Sequence, residues 1–440
     1  VKSVTRRLLP AVAALCVAVS PVAGAGDAAT LVLTEERCVA LALVGNADLA
    51  RARQQAVRAD ETRNQAIGLA LPDVDLSARY TEFGDVPESE IFGQRFTFGP
   101  DKQREIHLSV SQWLYSGSVG AGLRGAGHMR AAAAEGEAAA VATAVAQAKT
   151  LFYRALYVGE VIDVHEESVA QLTALLDDTK KRHGVGLATR YDVLRVETRL
   201  AAANADLVDA LNNRTAAQLQ LVDYLGADPA LDIVVEGTLA RVPFDATGEE
   251  AVAAALAHRP ELAAGREQVA VADEWVNQAR SDLLPKVKAF GHYNWTDAEG
   301  GADAGEGWVR DWNVGLSLDL SIVDGGEKRA VMKQKIVDRD LTRIAFDEIR
   351  RGVVIDARRS YDQWRHAESF VASQETAVAF AEETYRIARK RYHLGMTTQL
   401  ELLDTQVSLT KANIDYRLSL FRQMVAVESL RRAMGNGNRP

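Results

Sequence analysis

Proline is missing from two long runs of this chain, residues 101–228 and 286–439. Without a residue that deletes a backbone donor and clashes with the preceding turn, long helices are free to continue there. Cysteine is nearly absent. Cys16 lies in a leader-like N-terminus, which leaves Cys38 alone, with no partner for an intramolecular disulfide. Flanked by Val39, Ala40, Leu41 and Ala42, Cys38 reads as a small core residue. Beyond the N-terminus no apolar run approaches the roughly eighteen residues of a transmembrane helix, so none is expected. The formal charge of -9 has the wrong sign for the basic footprint of a nucleic-acid partner. Catalytic signatures are lacking too: the eight histidines form no HExxH pair, and no GxSxG serine occurs. Glu166-Glu167 and Glu382-Glu383 read as solvated helix faces. Neither an enzyme nor a cofactor or metal site is expected.

At the N-terminus Lys2, Arg6 and Arg7 precede an apolar stretch, residues 8–19, and the small residues Ala23-Gly24-Ala25. That order predicts a secretory signal peptide over residues 1–25. Leu15 before Cys16 argues against lipid attachment, which needs a small residue there. Loss of residues 1–25 removes three positive charges and no negative ones, taking the formal charge from -9 to -12.

The segment from 285 to 326 organises the rest. Val287, Ala289, Gly291, Tyr293 and Trp295 alternate with Lys286, Lys288, His292 and Asn294, and only Phe290 breaks the polar row. Trp312, Val314, Leu316 and Leu318 likewise alternate with Asp311, Asn313, Ser317 and Asp319. Period-two patterning predicts strands with one apolar and one polar face, here a β-hairpin at about 286–322. About ten residues each is the length of a tilted strand crossing a bilayer, and Tyr293, Trp295 and Trp312 lie near the end where membrane barrels carry aromatic girdles. A half-buried soluble hairpin would show the same pattern.

Residues 47–72 align without gaps on 260–285, an offset of 213, with Leu71-Pro72 matching Leu284-Pro285. After the first Leu-Pro step a second strand pair follows, at about 73–115. Val74, Leu76, Ala78 and Tyr80 face one way, and the return strand sets Ile106, Leu108, Val110 and Leu114 against Glu105, His107, Ser109 and Ser111. Each hairpin leads into a long helical region, 118–183 and 327–393, on the order of 100 Å if unbroken. Each region ends in a glycine turn, around Gly186-Leu187 and Gly395-Met396, followed by a further helix with an apolar stripe. These are helical hairpins of coiled-coil type. The division is a first repeat at 26–226, a linker at 227–250, a second repeat at 251–435 and a tail at 436–440.

Gly120, Gly122 and Gly125 satisfy a GxGxxG spacing. No parallel strand follows, so a tight turn from strand to helix explains them better than a dinucleotide site. Glu401 and Asp404 are three residues apart on one helical face after the second turn, and Asp192 is the first copy's equivalent of Glu401. Acids favoured by a helix N-terminus would also sit there.

In this order, a helix ending in Leu-Pro, an amphipathic strand pair, a glycine-rich exit, a long helix, a G-x-x-T turn and another long helix, done twice, the chain resembles the outer membrane efflux protein family, the TolC-like proteins. The resemblance implies a fold that is mostly α with membrane β: duplicated antiparallel helical hairpins, and four strands per subunit in a homotrimeric twelve-stranded barrel. At about 4.8 Å spacing and about 40° tilt, twelve strands give a diameter near 25 Å. It further implies a lipid-facing set (Val74, Leu76, Tyr80, Leu108, Val110, Tyr293, Trp295, Trp312, Leu316, Leu318), and turns at Gly186, Leu187, Gly395 and Met396 that meet a periplasmic adaptor joined to an inner membrane pump. Glu401, Asp404, Asp192 and Tyr392 would form the gate. Where family members can have an arginine two residues after the turn glycine, this chain has Thr397. A soluble periplasmic coiled-coil scaffold would account for the helices but not for the four strands.

Overall fold

The computed structural model describes residues 31–84, 88–91, 94–97, 99–300 and 307–436. The expected signal peptide, with Cys16, and residues 437–440 of the tail lie outside the described residues. The chain runs β1 (Leu31–Leu33), α1 (Glu35–Gly45), α2 (Ala47–Gly68), β2 (Asp73–Glu82), β3 (Glu88–Ile91), β4 (Gln94–Thr97), β5 (Lys102–Tyr115), α3 (Gly117–Gly184), α4 (Arg190–Leu225), β6 (Ile233–Val235), α5 (Gly248–His258), α6 (Pro260–Ser281), β7 (Lys286–Glu299), β8 (Val309–Asp319), α7 (Glu327–His393) and α8 (Gln399–Ala433). α2 and α6 share the offset of 213 at both ends, so the repeat seen in sequence is a repeat in structure. No described helix is long and apolar enough to cross a membrane.

Two compact units emerge, and they are not the two sequence repeats. Among the described residues, one combines those up to 45 with 148–240 and 378–421; the other combines 46–147 and 241–377 with those from 422 onward.

In the first unit α3 and α4 pack antiparallel. On α4, Val196, Ala203, Ala210 and Ala217 are all buried at seven-residue intervals. Val158 and Ile162 of α3 meet Ala210 and Ala217, and Leu172 meets Val196, Ala203 and Leu403 of α8. A strict seven-residue step is the coiled-coil period, and alanine at three of four positions lets the helices approach closely. Two glutamines seven apart on α8 carry buried bonds to α3: Gln399 Nε2 donates to Thr179 Oγ1 at 3.1 Å and Gln406 Nε2 to Ser168 Oγ at 2.7 Å. A two-stranded parallel sheet, β1 with β6, completes this unit. β6 falls inside the stretch read from sequence as linker. Three-residue strands paired across some two hundred positions carry no periodic signal of their own.

The second unit holds the antiparallel four-stranded sheet, ordered β2-β5-β7-β8, beside the small β3-β4 pair. Pro260 opens α6 at a position where a missing N–H costs nothing, and Thr247 starts α5 with a capping box closed by Glu250. Ala255 and Leu262 pack on Val353 and Ala357 of α7. Gly265 admits the Phe346 ring, which a Cβ there would meet at 2.6 Å. Gly120, Gly122 and Gly125 are not a turn, contrary to the sequence reading: they lie within α3, none among the positive-φ glycines. Nearby, Gly117 lets α3 approach Ser281 of α6, and Arg124 forks onto Glu274 with bonds of 3.0 and 2.8 Å. The second exit does turn on glycine, Gly325 and Gly326 having φ of 68° and 90°.

Candidate functional site

Three features collect the chemistry: the two faces of the four-stranded sheet, in the second unit, and the pair of capped turns, in the first.

Strand register decides which side chains share a face, because cross-strand partners point the same way. Val74, Val110, Gly291 and Val314 stand in one row, and Leu76, Leu108, Tyr293 and Trp312 in the next. Ala78, Ile106 and Trp295 follow, opposite Arg310. Toward α6 the face continues through Ala289 and Leu316 to Tyr115, Val287 and Leu318. Beyond Trp295 it ends in a charged row where Tyr80 pairs with Arg104, whose guanidinium bonds Asp297 at 2.7 Å and Glu299 at 2.8 Å. The sequence-predicted apolar set therefore lies on a single face. Val74, Leu76, Trp312, Val314, Leu316 and Leu318 are all exposed on it. From Val287 to Trp295 the strand rises about 27 Å, and at a tilt of about 40° it spans about 21 Å along the normal, most of the ~25 Å apolar band of membrane barrels. One assignment needs correcting. A bulge between Trp113 and Tyr115 makes Leu114 the extra residue and sets Tyr115, not Leu114, on the apolar face.

The opposite face is polar. Asp75, Ser109, His292 and Asn313 form one row, and Ser77, His107, Asn294 and Asp311 the next. Phe290 breaks the polar alternation for a reason the sequence cannot show: its ring covers Gly315, where a Cβ would come within 2.9 Å of it. Among the described residues no group of three or more His, Cys, Asp or Glu side chains is placed to hold a metal ion.

The two turns are built alike. Gly186 and Gly395 adopt left-handed φ of 78° and 70°. Gly186 N–H donates to His183 and Leu187 N–H to Arg182; Gly395 N–H donates to Tyr392 and Met396 N–H to Arg391. This is the Schellman stop, in which the residue after the glycine closes the wider ring. Leu187 and Met396 are those residues, and both side chains are exposed. The turns are 209 residues apart, so His183 corresponds to Tyr392 and not to His393.

The helices that follow begin differently. Thr189 caps α4 with a complete capping box. Its backbone N–H and hydroxyl donate to the Asp192 carboxylate at 2.8 and 2.7 Å, and its hydroxyl oxygen accepts from Asp192 N–H at 3.2 Å. These bonds, the hydroxyl's first, hold Asp192 below the ordinary carboxylate range. In the second copy Glu401 N–H donates to Thr398 Oγ1 at 3.3 Å, but the Glu401 carboxylate accepts from the Thr397 hydroxyl and lies 3.9 Å from Arg391. Sequence reasoning missed Arg391. The signal available was its 209-residue offset from Arg182, the offset of the turn glycines. Tyr392 is buried against Ala388, Leu402 and Leu175, with the Arg182 guanidinium 4.9 Å above its ring. Among the described residues no hydrogen bond joins Tyr392 to Asp192. Asp404 is exposed one turn beyond Glu401.

The model of the outer membrane efflux protein family matches residues 38–227 and 251–436. The alkaline protease secretion protein AprF of Pseudomonas aeruginosa is 27% identical over 243 residues, 52% of this chain and 50% of AprF. The outer membrane protein TolC of Escherichia coli is 22% identical over 415 residues, 90% of this chain and 81% of TolC. The chain spans about half the length of AprF and of the relatives BepC and OprJ. Among solved structures, the Campylobacter jejuni CmeC outer membrane channel superposes with a TM-score of 0.78 at 16% identity, covering 92% of this chain and 86% of CmeC. CusC gives 0.77 at 15%, covering 91% and 92%.

Removal of the α4 cap is expected to loosen only the start of that helix. Thr189→Ala costs about 1 kcal/mol, so amide exchange at Asp192 and Val193 should rise about fivefold. Because the Asp192 carboxyl is depressed, its contribution is present above the unfolded carboxylate range and is lost as pH falls through the folded value. The stability gap between wild type and Asp192→Asn should therefore close on acidification. Unchanged exchange in Thr189→Ala, or a gap independent of pH, contradicts this assignment.

Proposed function

The chain belongs to the outer membrane efflux protein family, and from that premise we propose that it is a trimeric exit duct, passive in itself, of an efflux or type I secretion system. Three copies of the four-stranded sheet close a twelve-stranded barrel in the outer membrane, and the helical hairpins line a tunnel in the periplasm. The observation that carries the reading is the apolar sheet face, aligned row by row across four strands and exposed. In water a face of that size is a liability. Against lipid it is what a barrel wall requires. No enzymatic role is proposed. Cargo selection belongs to the pump, which meets the duct through an adaptor docked at the turns, with Leu187 and Met396 as the exposed contacts.

Glu401 and Asp404 are the gate acids of this reading, with Tyr392 and Asp192 as supports near the turns. Threefold symmetry would bring six carboxylates to one axis, where they repel one another and draw in cations. Support comes from the exposure of Asp404 and from a Glu401 that is held by Thr397 and Arg391, not folded back into its own helix cap.

Two experiments follow. Arginine at Leu316 or Leu76 should cost about 2–4 kcal/mol near the bilayer midplane and reduce trimer recovered from outer membranes, whereas Ser317→Arg on the polar face should be tolerated. Equal tolerance at all three positions would remove the barrel assignment. In planar bilayers the purified channel should prefer cations, and the Glu401→Gln, Asp404→Asn double variant should lose that preference; retention of wild-type selectivity would reduce these acids to helix-terminal surface charges.

A further inference from the structure

We propose that the polar face of the four-stranded sheet carries a divalent-metal site, formed by His107 of β5 and His292 of β7, for an ion that prefers imidazole ligands, of which Zn2+ is the probe. The two rings stack with centroids 5.1 Å apart and planes 26° from parallel. They come from neighbouring rows on neighbouring strands, His107 opposite Asn294 and His292 opposite Ser109.

What distinguishes this pair from two solvated histidines is the chain of bonds behind it. Asn294 Nδ2 donates to Asp311 Oδ2 at 2.9 Å, which turns the amide oxygen of Asn294 toward His107. That oxygen and His107 Nδ1 are hydrogen-bonded. An amide oxygen only accepts, so Nδ1 must carry the proton, and the lone pair of His107 is left on Nε2. A histidine whose Nδ1–H is held by an oxygen and whose Nε2 is free is the form in which imidazole binds a metal. Asp311 polarises the relay from its far end.

His292 supplies the second observation. Its Nδ1 is buried and has no hydrogen-bond partner. Phe290 flanks its ring on the other side at 5.4 Å, so the imidazole is held in place with an unsatisfied nitrogen. Buried polar atoms are seldom left unpaired, and a cation ligated by Nδ1 itself would relieve the deficit. Charge on the face suits a cation: Asp75 stands in the row of His292 and Asp311 in the row of His107, while Arg79 is placed opposite Glu105. Lys288 lies over the Trp113 ring. Two imidazoles with water completing the shell make a site for Zn2+, Cu2+ or Ni2+ in preference to Mg2+ or Ca2+, which favour oxygen donors. The site itself needs one chain only. That the ion would be met by traffic through the duct rests on the barrel reading above, in which this face lines the lumen.

Equilibrium dialysis of the detergent-solubilised full-length protein against Zn2+ should find one ion per chain that excess Mg2+ does not displace. His107→Asn and His292→Asn should each weaken binding at least tenfold, and Asn294→Ala, which only frees the His107 tautomer, about tenfold. Circular dichroism of each variant checks that strand and helix content are retained. Zn2+ stoichiometry and affinity unchanged in both histidine variants would overturn the proposal. In planar bilayers Zn2+ should block wild-type conductance at least tenfold more potently than it blocks either histidine variant. Binding that depends on the two histidines without any block would leave the metal site standing and refute the assignment of this face to the lumen.

Discussion

A sheet that faces lipid cannot have edges. Inside a bilayer no water satisfies the outward N–H and C=O groups of an edge strand, and each group left unpaired there costs several kcal/mol. The four-stranded sheet has two such edges, β2 on one side and β8 on the other, and its apolar face is the one that lipid would cover. A single copy in a membrane would strand a ladder of 10 residues at β2 and of 11 at β8. The rest of the account depends on removing them. Strands that lack partners within one chain find them in further copies, and closure of the sheet on itself is the arrangement that leaves no edge.

The helical part follows a different rule and was more legible in sequence. Absence of proline, an apolar stripe after each turn and a glycine at each turn predict long antiparallel hairpins, and α3, α4, α7 and α8 follow that reading to within a residue or two. The four strands of the larger sheet, β2, β5, β7 and β8, were legible because polar and apolar residues alternate along each of them. What sequence could not show were the features that need a partner strand or helix to exist. The bulge that moves Tyr115 onto the apolar face depends on the register with β7. Phe290 looked like an error in the alternation until Gly315 was placed beneath it. Gly120, Gly122 and Gly125 read as a turn in sequence yet lie inside α3, and the close approach there falls at Gly117, against Ser281 of α6.

Duplication also left two copies free to diverge. Both turns keep the Schellman geometry, which demands a left-handed residue and so retains glycine. Their caps have parted. Asp192 closes its box on Thr189 and holds a helix end, while Glu401 reaches outside its cap to Thr397 and Arg391. Thr397 stands two residues after the turn glycine, and Arg391, from the preceding helix, provides the cation beside Glu401. Equivalent positions in a repeat thus differ in what they are available to do.

The central claim is that β2 of one copy pairs with β8 of the next, and a disulfide scan across those edges tests it most directly. Cys38, buried and with its thiol pushed up to about 12 by burial and by Glu35, will not compete with introduced cysteines. One cysteine at Asp75 of β2 is combined in turn with one at Asp311, Asn313 or Ser317 of β8, all on the polar face, and intact outer membranes are oxidised. The account predicts that one register yields a covalent trimer that survives boiling and collapses to monomer on reduction. Monomer alone in every register would contradict it.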